Sequence, residues 1–281
     1  MVVVEGDLAY VGAGRALQIV DVSAPASPEL VGEVVLPSVA ADVAISSTYS
    51  FVASAWDGLR VVDVTVPSAP VEIGAHDTPG SAQAVAHSSG YAYVADADAG
   101  LRIIDVTAPS VPLEVGFVDT PGSASDVALL GGFAYVADQS AGLRVIDVTT
   151  PSAPVEVGFY DTPGTALSVA ANGDFAYVAD NEGGIRVVDV TTPSAPEEVG
   201  FYVSPWVSAA YEVEVSAGHA YVADALEGLQ VIDELCLRHC ERTDQQRQCQ
   251  QAHRESPLMH GCILQQGSTR ARGIRPGFVR A

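Results

Sequence analysis

The chain has no lysine, and before residue 234 it has no cysteine and only five basic side chains: Arg15, Arg60, Arg102, Arg144 and Arg186. Nucleic-acid binding needs clustered Lys and Arg against the phosphates, so DNA and RNA are not expected partners. With no cysteine, this region says nothing about redox compartment. No run of about 18 apolar residues occurs, so no membrane-spanning helix is expected. The first residues, Met1-Val2-Val3-Val4-Glu5, lack the basic start and long apolar stretch of a signal peptide. Helical periodicity is absent. So are the Gly-x-Ser-x-Gly elbow, a phosphate loop and His-Glu-x-x-His, which removes the commonest motif-based grounds for an enzyme.

What is present is apolar and acidic. Hydrophobic residues make up 48% of the 281 and charged residues 17%, a globular composition able to bury roughly 75% of its unfolded surface. Residues 1–233 hold 31 acids against the five arginines, a net charge of −26. Residues 234–281 hold eight arginines against four acids, together with all four cysteines (Cys236, Cys240, Cys249 and Cys262) and seven of the 11 glutamines.

The acidic region repeats. Gln18-Ile19-Val20-Asp21 recurs as Arg60-Val61-Val62-Asp63, Arg102-Ile103-Ile104-Asp105, Arg144-Val145-Ile146-Asp147, Arg186-Val187-Val188-Asp189 and Gln230-Val231-Ile232-Asp233. The aspartates are spaced 42, 42, 42, 42 and 44 residues apart. A second phrase keeps step with the first: Tyr93-Val94-Ala95-Asp96, Tyr135-Val136-Ala137-Asp138, Tyr177-Val178-Ala179-Asp180 and Tyr221-Val222-Ala223-Asp224. A fixed period of this length marks a repeat architecture.

Each unit reads as four strands. In the fifth, strands are expected at 166–171, 175–180, 185–191 and 198–203, separated by Asn-Gly-Asp, Asn-Glu-Gly-Gly and a proline-set loop. Turn residues fall between runs of β-branched and aromatic residues. Four strands in about 42 residues predict a propeller blade. Strands that are apolar nearly throughout fit sheets covered on both faces. First strands rich in alanine, such as Ala82, Ala84 and Ala86, fit an innermost position crowded around the axis. The fold expected is therefore all-β: a β-propeller of about six four-stranded blades over residues 1–233, the last one incomplete. A β-solenoid is the alternative architecture, but 42 residues with four hairpin-linked strands is too long for one coil.

Leu143-Arg144-Val145-Ile146-Asp147 and its siblings resemble the LVIVD repeat, a propeller repeat of bacterial and archaeal surface proteins. The resemblance covers residues 1–233, with six copies in register. It implies an extracellular or envelope-attached propeller, often one part of a longer chain, and it transfers no catalytic residue.

Both ends break the pattern. Aligning Tyr10 with Tyr177 puts Met1 inside the first strand of a unit, so residues upstream are expected to be missing. After Asp233 the repeat calls for Val-Thr, a proline loop and a fourth strand, and Glu234-Leu235-Cys236 follows instead. Residues 234–281 read as an irregular basic, Cys- and Gln-rich tail: disordered, or the product of a shifted reading frame. The alternative is a genuine extension, in which Cys236, Cys240, His239, His253 and His260 would fit a zinc site loosely.

Strand direction alternates within a blade, so second-to-third turns and blade-to-blade connections emerge on one face. Asp96, Asp138, Asp180 and Asp224 end second strands there, Asp98 lies two residues on, and Asp-Thr-Pro-Gly connections (77–80, 119–122, 161–164) add more acids. A ring of carboxylates suggests a cation, with Ca²⁺ the candidate. Turn capping by Asp is the competing role, and the nearby arginines are candidate partners. Trp56 and Trp206 stand off-consensus on the same face and suggest a platform for a sugar, a peptide or a cation. Packing within a degenerate repeat is the alternative. His76, His87 and His219 occur once each and form no recurring set.

The function expected from sequence is a non-enzymatic, monomeric binding scaffold that needs no cofactor and contacts a protein or a glycan at the cell surface. Two other readings stand beside it: a structural spacer of a larger envelope protein, and a metal-dependent hydrolase or lyase.

Overall fold

The computed structural model describes residues 1–46, 48–203, 209–234 and 237, and the backbone of 279–280. They form a six-bladed β-propeller. Blade four shows the unit: Asp126–Leu130, Phe133–Ala137, Leu143–Asp147 and Val155–Tyr160 pair antiparallel in chain order. Blades two, three and five repeat this arrangement from Asp42–Ser46, Ala84–Ser88 and Ser168–Asn172 onward. Blade one runs from Val2–Glu5 to Glu29–Val35, and Val279–Arg280 lies parallel to its first strand. Among the described residues blade six has three strands: Ala210–Ser216, His219–Asp224 and Gly228–Asp233.

The strands expected from sequence are present with shifted ends. In blade five the first strand is Ser168–Asn172 rather than 166–171, because Ala166 instead bridges to Gln139 of the preceding blade. The outer strand is Glu197–Tyr202. Third and fourth strands lose register at one repeated point in blades one to five, for example between Ile103 and Ile104. A bulge there bends the outer strand and sharpens its twist.

The core lies between blades. Five apolar clusters occupy the five successive interfaces from blade one to blade six. Between blades three and four, Tyr93, Leu101 and Ile103 meet Val127, Val136 and Ile146. Each fully buried side chain of this size contributes about 1.5–3 kcal/mol. Both faces of a blade are thus covered, which is why strands 143–147 and 185–189 are apolar without alternation. The small first-strand residues face a neighbouring blade: Ala84 and Ala86 belong to the cluster between blades three and four.

The aspartate of the repeat phrase makes a turn. Asp105 Oδ1 accepts the Thr107 amide at 2.9 Å and the Thr107 hydroxyl at 2.6 Å, and Asp63, Asp147 and Asp189 do the same with the threonine two residues on. This closes the loop between third and fourth strands on the face opposite the second-to-third turns. Among the described residues no helix is long and apolar enough to cross a membrane.

Candidate functional site

The face built by the second-to-third turns carries the residues singled out above. In blades two to five each turn holds one non-glycine residue at positive φ: Ala55, Ala97, Gln139 and Asn181, at 41° to 50°. That residue makes a two-residue bridge to the start of the next blade, Ala55 to Ala82, Ala97 to Ala124, Gln139 to Ala166 and Asn181 to Ala210. Left-handed backbone in an L-residue is unfavourable by about 1–3 kcal/mol, and the backbone hydrogen bonds of the bridge hold it, two each at Ala97, Gln139 and Asn181 and one, from the Ala82 amide, at Ala55.

The Asp-Thr-Pro-Gly connections lock neighbouring blades, each residue in a different direction. Asp119 reaches back to the blade just completed and accepts from the Arg102 guanidinium at 2.8 Å. Thr120 and Gly122 reach forward into blade four: the Thr120 hydroxyl donates to Asp138 Oδ1 at 2.6 Å and the Gly122 amide to Asp138 Oδ2 at 2.8 Å. One connection earlier, Asp77 holds Arg60, while Thr78 and Gly80 hold Asp96. One connection later, Asp161 takes Arg144 and Gly164 donates to Asp180. A methyl group at Gly122 would strike the Asp138 carbonyl, so only glycine fits there.

Asp96, Asp138 and Asp180 are therefore buried inside the ring of connections. Burial, the largest influence, pushes all three carboxyls above their ordinary value; the hydroxyl, amide and guanidinium donors pull against it. Blade two has Ser54 in this place, also buried. Asp224 behaves differently because its connection has lost the Asp-Thr-Pro-Gly phrase: its Oδ1 accepts the amides of Leu226 and Glu227, both at 2.9 Å. Asp98 is exposed while Asp96 points inward, so this close pair does not converge. Among the described residues no three of His, Cys, Asp or Glu are grouped to hold a metal ion.

The arginines expected to pair with these acids do so, and they also stack. Arg102, Arg144 and Arg186 lie 4.6–4.9 Å above the rings of Phe117, Phe159 and Phe201 on the outer strands. Guanidinium over aromatic face adds cation–π attraction to the ion pairs. In blade two the residue opposite Arg60 is Ala75, and no ring is available.

Trp56 sits at the tip of the blade-two turn and is 79% exposed. Its neighbours in the turn are fixed: Asp57 donates its amide to Ser54, and its carbonyl accepts from Arg60 at 2.5 Å. The equivalent tip residues are Asp98, Ser140, Glu182 and Leu226, all exposed. Trp206 lies outside the described residues, as do the cysteines and histidines of the tail. His87 stacks on Phe51 with ring centroids 4.5 Å apart, and burial lowers its pKa; it is a packing residue. The division of labour within Asp-Thr-Pro-Gly escaped the sequence reading. Its signal was the co-occurrence of that connection with an Asp, rather than a Ser, ending the next second strand.

The LVIVD repeat matches residues 1–35, 38–78, 79–120, 121–162, 163–204 and 209–233. The chain belongs to the LVIVD repeat family. No curated protein matches it. Among solved structures, this LVIVD protein is similar to the periplasmic gluconolactonase of Pseudomonas aeruginosa, with TM-score 0.70 and 15% identity over 83% of this chain and 80% of that one. It is also similar to a functionally unknown protein from Desulfotomaculum acetoxidans, with TM-score 0.66 and 16% identity over 83% and 74%. The computationally designed Ika8 protein matches with TM-score 0.66 and 11% identity over 83% and 70%. At such identities the likeness is one of fold, which propellers of many functions share.

Proposed function

We propose that this LVIVD propeller is a non-enzymatic binding scaffold, at the cell surface or outside it, that engages a protein or a glycan through its second-to-third turn face. The observation that carries this reading is Trp56: a 79% exposed indole on a turn stitched to the next blade. Leaving a ring of this size in water is unfavourable, and tryptophan is enriched where partners bind. Holding it on a rigid turn lowers the ordering cost of association. The acidic charge of the repeat region favours neutral or cationic partners over anionic ones. The reading needs no cofactor.

The test is binding of the full chain to separated polysaccharide and protein fractions of a cell envelope, with Trp56→Ala beside the wild type. The variant is expected to lose about thirtyfold in affinity and to keep its melting temperature. Equal affinity of the two chains removes Trp56 and this face from the reading.

A further inference from the structure

On the opposite face, a cleft of about 410 Å³ opens between blades three and four. It lies where the first-to-second turns of both blades meet the loop after the third strand of blade four. Tyr91, Tyr93 and Phe133 supply aromatic walls, and Ser88, Ser89 and Thr149 supply hydroxyls at the rim. No lining residue is charged. The volume falls in the range of small-ligand sites, and polar and apolar groups line it in nearly equal measure.

One of these groups stands out. Tyr93 is only 5% exposed, it lines the cleft, and among the described residues nothing hydrogen-bonds its hydroxyl. Its ring is buried while the hydroxyl oxygen still reaches solvent in the cleft, where it is open to donate to and accept from a ligand. At the equivalent place between blades five and six such a hydroxyl has a partner: Tyr177 donates to the Glu234 carboxylate at 3.0 Å. Glu234 follows Asp233 just as Val148 follows Asp147, and Val148, which lines the cleft, has no acceptor to offer.

We infer that this cleft is a binding site for a neutral saccharide unit. A sugar ring presents an apolar C–H face to aromatic rings and hydroxyls that both accept and donate. The first suits Tyr91 and Phe133; the second suits Tyr93, Ser88, Ser89 and Thr149. Without a charged side chain, the cleft has nothing to hold an acidic or cationic ligand, and the acidic repeat region repels the former. Tyr91, Tyr93 and Phe133 stand on second strands that are already paired on both sides, and the remaining walls are first-strand ends, turns and a loop, so a peptide finds no length of free strand edge there to extend. This site is separate from the Trp56 face.

The experiment is calorimetric titration of the full chain with neutral hexasaccharides of glucose, xylose, mannose and N-acetylglucosamine, and with a proline-rich peptide. Binding of at least one saccharide is expected, unchanged in Trp56→Ala. Tyr93→Phe should weaken it about five- to tenfold by removing one hydrogen bond. That variant keeps its packing, because blade two already buries Phe51 at this repeat position. Tyr91→Ala, at a half-buried position, should weaken it about tenfold. The inference is overturned if no saccharide binds at millimolar concentration, if neither tyrosine change affects binding, or if only the peptide binds.

Discussion

At the scale of single residues, the aspartates divide into two kinds with opposite titration behaviour. Asp96, Asp138 and Asp180 are buried, and their carboxyls are raised above the ordinary value of 3.8. The native chain therefore keeps protons there that the unfolded chain has released, and stability from these groups falls as pH rises from about 3.8 through their native values. Asp63, Asp105 and Asp147 are lowered, first by a threonine hydroxyl and then by an amide. Their contribution is present above 3.8 and fades as pH falls through their native values. Asp138→Asn removes one group of the first kind. The stability of the wild type relative to this variant is thus expected to decline as pH rises above about 3.8, as read by denaturant melts at a series of pH values. Asp138→Ala, which strands the Thr120 hydroxyl and the Gly122 amide together and takes one carboxylate from Arg144, should cost about 3 kcal/mol at neutral pH.

These roles were partly legible in the chain. The period exposed Asp96, Asp138 and Asp180 as a set and placed them at a turn, where capping was the competing role to cation binding. Which way the carboxylates face was not legible, because a turn residue can point to solvent or to the next connection with the same spacing. Trp56 was legible as a departure from consensus, and its exposure follows from standing at a turn tip. Tyr93 was hidden by its own regularity: it reads as one core aromatic among siblings, and only the partner on the next blade decides whether its hydroxyl is used.

At the scale of elements, the outer strand explains a feature of the repeat that strand propensity alone does not. Gly116 faces the bulge beside Ile103, and a methyl there would run into the carbonyl of Pro151 and approach the Pro154 ring to 2.9 Å. The same contact recurs from Gly74 to Pro109 and from Gly158 to Pro193. The outer strands of blades one to four are thus each thinned by a glycine so that the proline loop of the following blade can lie on it. Gly116→Ala is expected to destabilise by about 1–3 kcal/mol through this collision, measurable as a lowered midpoint in urea. Prolines in these loops looked like turn setters in the sequence; their second role, as the piece that docks on the preceding blade, required the neighbour to be in place.

At the scale of the whole molecule, the interior is unequal around the axis. Leu59, Leu101 and Leu143 are fully buried, whereas Leu229, their counterpart in blade six, is 45% exposed. Val43, Val85, Val127 and Val169 are buried in first strands, while Val2, Val3 and Val4 of blade one are half-buried. Among the described residues the five apolar clusters join blades one to six in series, and none joins blade six to blade one. Opening is easiest where few apolar contacts hold an element. Amide hydrogen exchange should therefore be slowest in the second and third strands of blades three, four and five. It should be fastest in Val2–Glu5 and Gly228–Asp233, by about two orders of magnitude if the seam opens independently. Uniform protection in all six blades would show that the seam is as well packed as the rest.

The sequence by itself determined the repeat, the strand order within each unit and the face on which turns and connections gather, while the count of six blades was fixed by the structure. Those follow from local rules: a 42-residue period, turn residues at fixed offsets, and antiparallel strands that reverse direction at every turn. The tertiary structure alone decided which carboxylates are buried, which residue of Asp-Thr-Pro-Gly serves which blade, and where a cleft with an unused hydroxyl remains. Each of those depends on a contact between residues of different blades, and a periodic sequence looks the same from one blade to the next whether that contact is made or not.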